Sequence, residues 1–290
     1  MEKKKMDARF YRIQSITNLH VGSGDINFNI VDNEVQRDPV TGYPTIFSSS
    51  LKGALRQHFG TGSTVTKIFG SERKDSAGNN GEGSKPGHVK FFGGSLLLLP
   101  VRAAKGRQLY YLLTTPVILQ SFASFYEQLT GQAAPMKATL EACGTLQGEN
   151  SCLIYGETEI GIEGSSYHSQ EWKDKEACKQ ELQKLFGLTE DDMGRLVIVE
   201  DRLVSELHLP VLARNQLENG ISQNLWYEEI VPHEAVFTTA VLSDGTETGA
   251  EALTAFQDYI KEHALLQLGG NATIGYGLTQ MTAMAFGEGE

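Results

Sequence analysis

Apolar residues alternate loosely through residues 9–17, with Tyr11 and Ile13 on one side and Phe10 and Ile16 on the other. This pattern predicts a β-strand that ends at the glycine turn His20-Val21-Gly22-Ser23-Gly24. Residues 25–29 read as a polar loop around Phe28. From Ile30 the chain is extended again as far as Asp38-Pro39-Val40-Thr41-Gly42, a turn by composition. A helix then begins at Ser48, Ser49 and Ser50, one of which is expected to cap the first-turn amides. Leu51, Ala54, Leu55 and Phe59 fall on one helical face, Lys52 and Arg56 share another, and Gly60 supplies a stop.

Residues 71–88 are rich in Gly, Ser and Asn and predict a mobile loop. Strands are expected over 88–102 and 108–119, joined by the basic turn Lys105-Gly106-Arg107, and Phe122, Phe125, Tyr126 and Leu129 give a short helical face. From 131 to 170 the chain is polar and acidic with little periodicity, which suggests an insertion or lid over about 131–195. Within it, residues 173–186 form an amphipathic helix with Ala177, Leu182, Leu185 and Phe186 inward. After a strand at 196–199, the stretches 207–217 and 225–232 flank Glu218-Asn219-Gly220, a hairpin tip. A strand at 235–242, a helix at 251–263 and a strand at 278–286 close the chain. The recurring order strand, helix, strand, strand, helix, strand predicts an α+β fold with a ferredoxin-like core whose helices cover one sheet face.

Composition narrows the class. No apolar run approaches the roughly 20 residues that span a bilayer, and the basic start Met1-Glu2-Lys3-Lys4-Lys5 leads into Phe10-Tyr11-Arg12 without an apolar signal core. A cytoplasmic protein with no membrane partner is expected. Cys143, Cys152 and Cys178 are too few and too irregularly spaced for a disulfide framework or a cysteine zinc site, and no two histidines have ligand spacing. The net charge of −11 argues against a generic nucleic-acid binder. That charge is uneven, however, because residues 51–110 hold ten Lys and Arg against three acids. One basic section in an acidic chain fits a protein that grips a polyanion on one face only, and chance clustering on a solvated face fits as well.

Three motifs carry chemistry. The segment Leu268-Gly269-Gly270-Asn271-Ala272-Thr273-Ile274-Gly275-Tyr276-Gly277 is a glycine loop before the last strand. Gly270 and Gly275 have P-loop spacing, but Tyr276-Gly277 replaces the Lys-Ser/Thr that a nucleoside-triphosphate site needs. The glycines let the main chain approach phosphate and present N–H groups. Ser48 to Arg56 offers a helix N-terminus with Lys52 one turn away, which suits a phosphate. Asp32 follows a β-branched residue in Ile30-Val31-Asp32-Asn33-Glu34-Val35-Gln36-Arg37-Asp38; taken alone it fits an Asx turn as well as a catalytic carboxylate.

The order and spacing of the glycine turn, the Asp32 segment and the Ser48-Ser49-Ser50-Leu51-Lys52-Gly53 helix, with the C-terminal glycine loop, resemble the RAMP superfamily of CRISPR proteins. The resemblance is strongest to the repeating backbone subunit of type III-B (Cmr) effector complexes. It covers nearly the whole chain and is weakest in 71–88 and 131–195. It implies a single RAMP domain over 1–290, with an RRM-like core at about 7–130 and 196–290 and a β-hairpin thumb at about 207–232. It also implies a subunit that binds CRISPR guide RNA, stacks with copies of itself in a helical filament beside other subunits, and cleaves complementary target RNA with Mg2+ or Mn2+. On this reading Asp32 is catalytic and a possible metal ligand. His20 is auxiliary, and Tyr227 or Glu228 reaches the cleavage site of a neighbouring subunit. Arg37, Ser50, Lys52, Arg56, Gly269, Gly270, Asn271 and Thr273 contact RNA. Three alternatives stay open: the backbone subunit of the related type III-A (Csm) complex, a purely structural RNA-binding subunit, and a standalone nuclease that cuts CRISPR repeats.

Overall fold

The computed structural model describes residues 7–24, 30–71 and 85–286, so the loop expected at 25–29 and most of that at 71–88 lie outside the described residues. From β1 (Ala8–Ser15) a long irregular excursion leads to β2 (Thr45–Ile46), α1 (Ser48–Phe59) and α2 (Ser63–Phe69). The next extended stretch is two strands, β3 (Val89–Phe91) and β4 (Gly94–Lys105), where one was expected. The break falls at Gly93. A Cβ there would sit 2.7 Å from the Ile46 carbonyl oxygen, so the approach of β2 requires glycine. β5 (Tyr110–Thr114) is also shorter than expected, because Thr115 and Pro116 open α3 (Pro116–Thr130). The Thr115 hydroxyl accepts from the Ile118 amide at 3.3 Å, and proline fills the first turn, where it loses no hydrogen bond.

Residues 131–195 fold into α4 (Lys137–Cys143), β6 (Ser151–Ile154), β7 (Glu159–Ile162), β8 (Ser165–Ser169), α5 (Lys175–Phe186) and α6 (Glu190–Arg195). Three strands thus stand where the composition shows little periodicity, each too short for a period to register. β9 (Leu196–Val199) and α7 (Asp201–Glu206) lead into the hairpin of β10 (Val211–Glu218) and β11 (Ile221–Glu229). Asn219 and Gly220 at its tip have φ of 52° and 78°, the left-handed pair that a tight two-residue turn requires. β12 (Val236–Ser243), α8 (Glu247–Glu262), β13 (Leu265–Gln267) and β14 (Leu278–Ala283) complete the chain.

All strands except those of the hairpin join one sheet, in which β14, β1, β12 and β4 are successive antiparallel neighbours. Beyond β4 the sheet curls. β4 pairs with β5 and again with β7, so β4, β5, β9, β6, β8 and β7 close a barrel-like ring. The fold is mixed α+β.

The central strands are covered on both faces. Phe10 of β1 meets Phe122, Phe125 and Tyr126 of α3 and Phe286, while Tyr11, its neighbour on the opposite face, packs edge-on against Phe256 of α8. All eight residues of β12 are buried between these layers. Among the described residues, no helix is long and apolar enough to cross a membrane.

The passage from β12 into α8 is set by Asp244. Its Oδ1 accepts from the Thr246 amide at 2.9 Å and hydroxyl at 2.6 Å, its Oδ2 lies 2.7 Å from His88 Nδ1, and Thr246 in turn caps α8. Burial pushes the Asp244 carboxyl up, but the bonds from Thr246 and His88 outweigh it and hold the group at about 2, against 3.8 unperturbed. A depressed carboxyl stabilises the fold above its unfolded-state value and loses that contribution as pH falls through the folded value. Urea unfolding should therefore show Asp244→Asn less stable than the parent at pH 7, by on the order of 1 kcal/mol after allowance for its partial exposure. The gap should close between pH 4 and pH 2, and a constant gap across that window would contradict the assignment.

Candidate active site and nucleic-acid interface

Three segments distant in sequence meet at one end of the sheet: the excursion between β1 and α1, the base of the hairpin, and the glycine loop before β14. Main-chain bonds assemble them. Leu19 and Val231 exchange N–H···O bonds of 2.8 Å, Glu229 N donates to Asn33 O at 2.9 Å, and Asp32 N and Asn33 N both donate to Tyr227 O at 3.1 Å. On the other side Gly270 N donates to His20 O and Gly277 N to Asn18 O, each at 2.9 Å. The excursion thus runs as a strap between hairpin and glycine loop.

Two adjacent carboxylates lock the strap. Successive strand residues point to opposite faces, and Glu228 and Glu229, 3% and 7% exposed, use this to reach different partners. Glu228 turns toward the glycine loop, where Oε2 accepts from Arg214 Nε at 2.9 Å and Oε1 accepts from the Asn271 side-chain amide. Arg214 also lies 4.5 Å over the Tyr276 ring. Glu229 turns toward the Asp32 segment, where Oε1 pairs with the Arg37 guanidinium and Oε2 accepts from Val35 N at 3.1 Å. His20 lies between, buried, with Nδ1 2.7 Å from the Glu229 carbonyl and Nε2 3.6 Å from Glu228 Oε1. Because a carbonyl only accepts, Nδ1 carries the hydrogen.

Asp32 differs from this buried set. Its side chain is exposed, and its Oδ2 accepts from the Tyr227 amide at 2.7 Å. One oxygen is thereby anchored by main chain, while Oδ1 has no partner among the described residues. Tyr227 is 40% exposed beside it, so Asp32 and Tyr227 form the outer surface over a core of His20, Glu228 and Glu229.

The expected RNA contacts divide. Gly269, Gly270 and Thr273 are exposed on the glycine loop, and Asn271 is half-exposed with φ 63°. None of the three serines caps α1. The N-cap position is Phe47, without a side-chain bond, which leaves the first-turn amides free for an anion. The Ser50 hydroxyl instead accepts from Gln36 Nε2 at 2.8 Å. Lys52 is half-buried and has no ion pair among the described residues. Arg56 donates to the Gly70 carbonyl at 2.6 Å, and Arg37 is committed to Glu229 and, at 2.9 Å, to the Gly42 carbonyl, so both hold loops. Elsewhere in the basic section, Lys67 pairs with Glu251 and Lys105 with Glu159. Tyr227 and Glu228 lie against Asp32 and His20 of their own chain, and Glu228 points inward.

Sequence reasoning missed Gln36, Arg214 and Glu229. Gln36 joins the Gly22 carbonyl, the Ser50 hydroxyl and the Phe47 amide, so it ties the turn, the strap and α1 together. The signal for Glu229 was two adjacent acids in an apolar strand end, where at least one must face inward and find a partner. Among the described residues, no group of three or more His, Cys, Asp or Glu is arranged to hold a metal. As a donor set, Asp32 offers one free carboxylate oxygen. That suits a hard cation which keeps waters and takes its other ligands from phosphate oxygens.

A family model for the RAMP superfamily matches residues 12–280. This chain belongs to the RAMP superfamily. This RAMP protein is 27% identical to the CRISPR system Cmr endoribonuclease Cmr4 of Pyrococcus furiosus, covering 96% of each chain. It is also 27% identical to the CRISPR system CMR subunit Cmr4 of Saccharolobus solfataricus, covering 93% of this chain and 94% of that one. In fold it is similar to a subunit of a type III-B Cmr-beta complex bound to cognate target RNA, with a TM-score of 0.76 at 22% identity over 96% of this chain and 97% of the other.

The RAMP glycine loop has a steric test. At Gly269, φ is +73° and a Cβ would sit 2.1 Å from the His20 carbonyl oxygen; at Gly275, φ is +85° with open space around it. Gly269→Ala should destabilise the protein by well over about 1 kcal/mol, and Gly275→Ala by about 1 kcal/mol from backbone strain alone. Chemical denaturation of both should rank them in that order.

Proposed function

We propose that this RAMP protein is the guide-RNA-binding backbone subunit of a type III-B CRISPR (Cmr) effector complex and that its Asp32 cuts target RNA paired to the guide. The observation that carries the reading is the half-anchored, exposed Asp32 carboxylate. It is bonded to the hairpin base, on the strap whose Gln36 joins the start of α1 and whose His20 carbonyl takes the Gly270 amide of the glycine loop. The names of the relatives, an endoribonuclease and a subunit of CRISPR Cmr systems, agree with it.

In the proposed step, Asp32 Oδ1 takes the proton of a target 2′-hydroxyl whose oxygen is in line with the adjacent phosphorus. That oxygen forms the new bond as the 5′-oxygen leaves. The Tyr227 amide holds Oδ2, so the free oxygen has a set direction. Main-chain N–H groups of the glycine loop and of the first turn of α1 hold the backbone of the guide, and base pairing supplies target identity, so the protein reads shape. In the alternative role, Asp32 Oδ1 would hold a divalent cation, Mg2+ or Mn2+, together with RNA phosphate oxygens and water, and the cation would supply the base from that water and stabilise charge on the leaving oxygen.

The same reading assigns a ferredoxin-like core and a hairpin thumb. The antiparallel order β14-β1-β12-β4, with α1 following β1 and α8 following β12, supports the first. The exposure of Leu217, Ile221 and Leu225 on the hairpin, which suits contact with RNA bases or a neighbouring copy, supports the second. Copies would stack along the guide as a cytoplasmic filament with other subunits. A solved relative described as oligomeric Cmr4, similar in fold with a TM-score of 0.67, agrees with self-assembly.

Reconstituted with guide and complementary target in Mg2+ or Mn2+, Asp32→Ala should retain target binding while regularly spaced cuts fall by about 10²- to 10⁴-fold. Parental cutting would sink the catalytic assignment, and lost binding would recast Asp32 as structural. Because Arg56 holds Gly70, Lys52 is the cleaner test of the guide contact. Lys52→Ala should weaken guide binding equally for all sequences and reduce the slope of log affinity against log salt by about 0.7, the share of one phosphate contact to a single strand. An unchanged slope would remove Lys52 from the interface.

A further inference from the structure

We propose that Glu229 is a positioning residue for Asp32, acting through Arg37 and the Val35 amide; this rests on the catalytic reading of Asp32. The Asp32 carboxylate is aimed by main chain alone, through the Tyr227 amide on Oδ2 and the return bonds from Asp32 N and Asn33 N to Tyr227 O. Such an arrangement has the right geometry in only one register of the strap against β11. A slip of one residue would present Val31 or Asn33 to Tyr227. Two of the three bonds that join Tyr227 to the strap are between backbone groups that any residue carries, and the third needs only a side-chain acceptor, which Asn33 would also bring after a slip. Other side chains must therefore fix the register.

Glu229 is placed to make that selection. Its amide donates to Asn33 O at 2.9 Å, its Oε2 takes the Val35 amide at 3.1 Å, and its Oε1 takes the Arg37 guanidinium. It thus grips every second residue from 33 to 37, all on the side facing the hairpin. Arg37 is held at its other end by the Gly42 carbonyl at 2.9 Å, so the grip extends to the turn before β2. A slipped strap would put Gln36 or Asp38 in place of Arg37 opposite a 7% exposed carboxylate, a neutral amide or a like charge instead of the guanidinium. A buried carboxylate without its cationic partner is strongly disfavoured. A buried ion pair adds little stability relative to an apolar pair of similar volume, whereas its directional demand makes it effective at fixing register. Glu229 is buried and bonds to Asn33, Val35 and Arg37, with no bond to Asp32 among the described residues, which separates its role from catalysis.

The test uses the complete reconstituted complex with saturating, pre-bound target and reads single-turnover cutting, target affinity and assembly for the parent and the variants Glu229→Gln, Glu229→Ala, Arg37→Gln and Asp32→Ala. Glu229→Gln keeps an acceptor for the Val35 amide but loses the charge, so cutting should slow about 10-fold. Glu229→Ala should slow it about 10²-fold, the scale of a 1 Å misplacement of a reacting group. Affinity and assembly should match the parent in both. The double variant Glu229→Gln with Arg37→Gln should cut no more slowly than the slower single variant, because both act through one contact. Parental rates for the Glu229 variants, in a preparation where Asp32→Ala is inactive, would overturn the inference and leave the proposed function standing. Parental cutting by Asp32→Ala would overturn both. Loss of cutting only in proportion to lost assembly or affinity would make Glu229 structural and overturn the positioning role. If Glu229→Ala does not fold, Glu229→Gln and Arg37→Gln decide on the same criteria.

Discussion

Two buried carboxylates on successive residues of one strand constrain everything at the functional end of this molecule. Each ionised group taken out of water costs several kcal/mol unless its lone pairs are met by donors. Glu228 and Glu229 cannot share donors, because they point to opposite faces of β11. One draws in Arg214 and Asn271, the other Arg37 and the Val35 amide. The glycine loop and the Asp32 segment are therefore both tied to the hairpin base, and neither moves away without stranding a charge. Asp32 inherits its place from this arrangement. It is exposed and held mainly through backbone, yet it sits on a strap whose other residues are committed.

The layers of the sheet dictate why the site lies at an end. RNA-binding domains built on a four-stranded sheet commonly use the open face as a stacking platform. Here that option is closed, because Phe10 on one face of β1 lies under α3 and Tyr11 on the other lies under α8. Any polynucleotide is left with the loops at the strand ends. Those loops offer main-chain N–H groups at the glycine loop and at the start of α1, which has no side-chain cap. This also reconciles a net charge of −11 with an anionic ligand. Backbone dipoles at close range grip phosphate locally, while the acidic remainder of the surface disfavours nonspecific contact elsewhere.

What could be read from the sequence was what local chemistry decides. The Asn219-Gly220 tip needs two positive φ angles, α8 needs only its own periodicity, and Asp32 stood out as an acid after an apolar pair. What could not be read depends on distant segments. Nothing near Ser48 shows that Gln36 will claim the Ser50 hydroxyl, or that the helix will go without a side-chain cap. Gly93 looks like part of a continuous strand until β2 is brought against it. Nothing near Arg37 or Arg56 shows that they will bond to Glu229 and the Gly70 carbonyl, 192 and 14 residues away. Thr115-Pro116 was a legible helix start that the apolar run around it concealed.

The anchoring of Asp32 limits the chemistry open to it. A carboxylate with one oxygen on a backbone amide keeps both lone pairs of the other oxygen open, so that oxygen can act as a base or as a monodentate ligand. The amide also removes the rotation that would let the two oxygens exchange, so the reactive lone pairs of Oδ1 keep a fixed direction relative to β11. An in-line attack makes a matching demand on the substrate, since the 2′-oxygen must lie opposite the leaving 5′-oxygen, a geometry that a regular helix does not provide. On the proposed catalytic reading of Asp32, the protein supplies half of the alignment in advance, and the RNA must be distorted beside the hairpin base to supply the other half. On that reading, unpaired or loosely held RNA would meet an aimed base without presenting an aligned phosphate, which would tie cutting to a properly seated duplex.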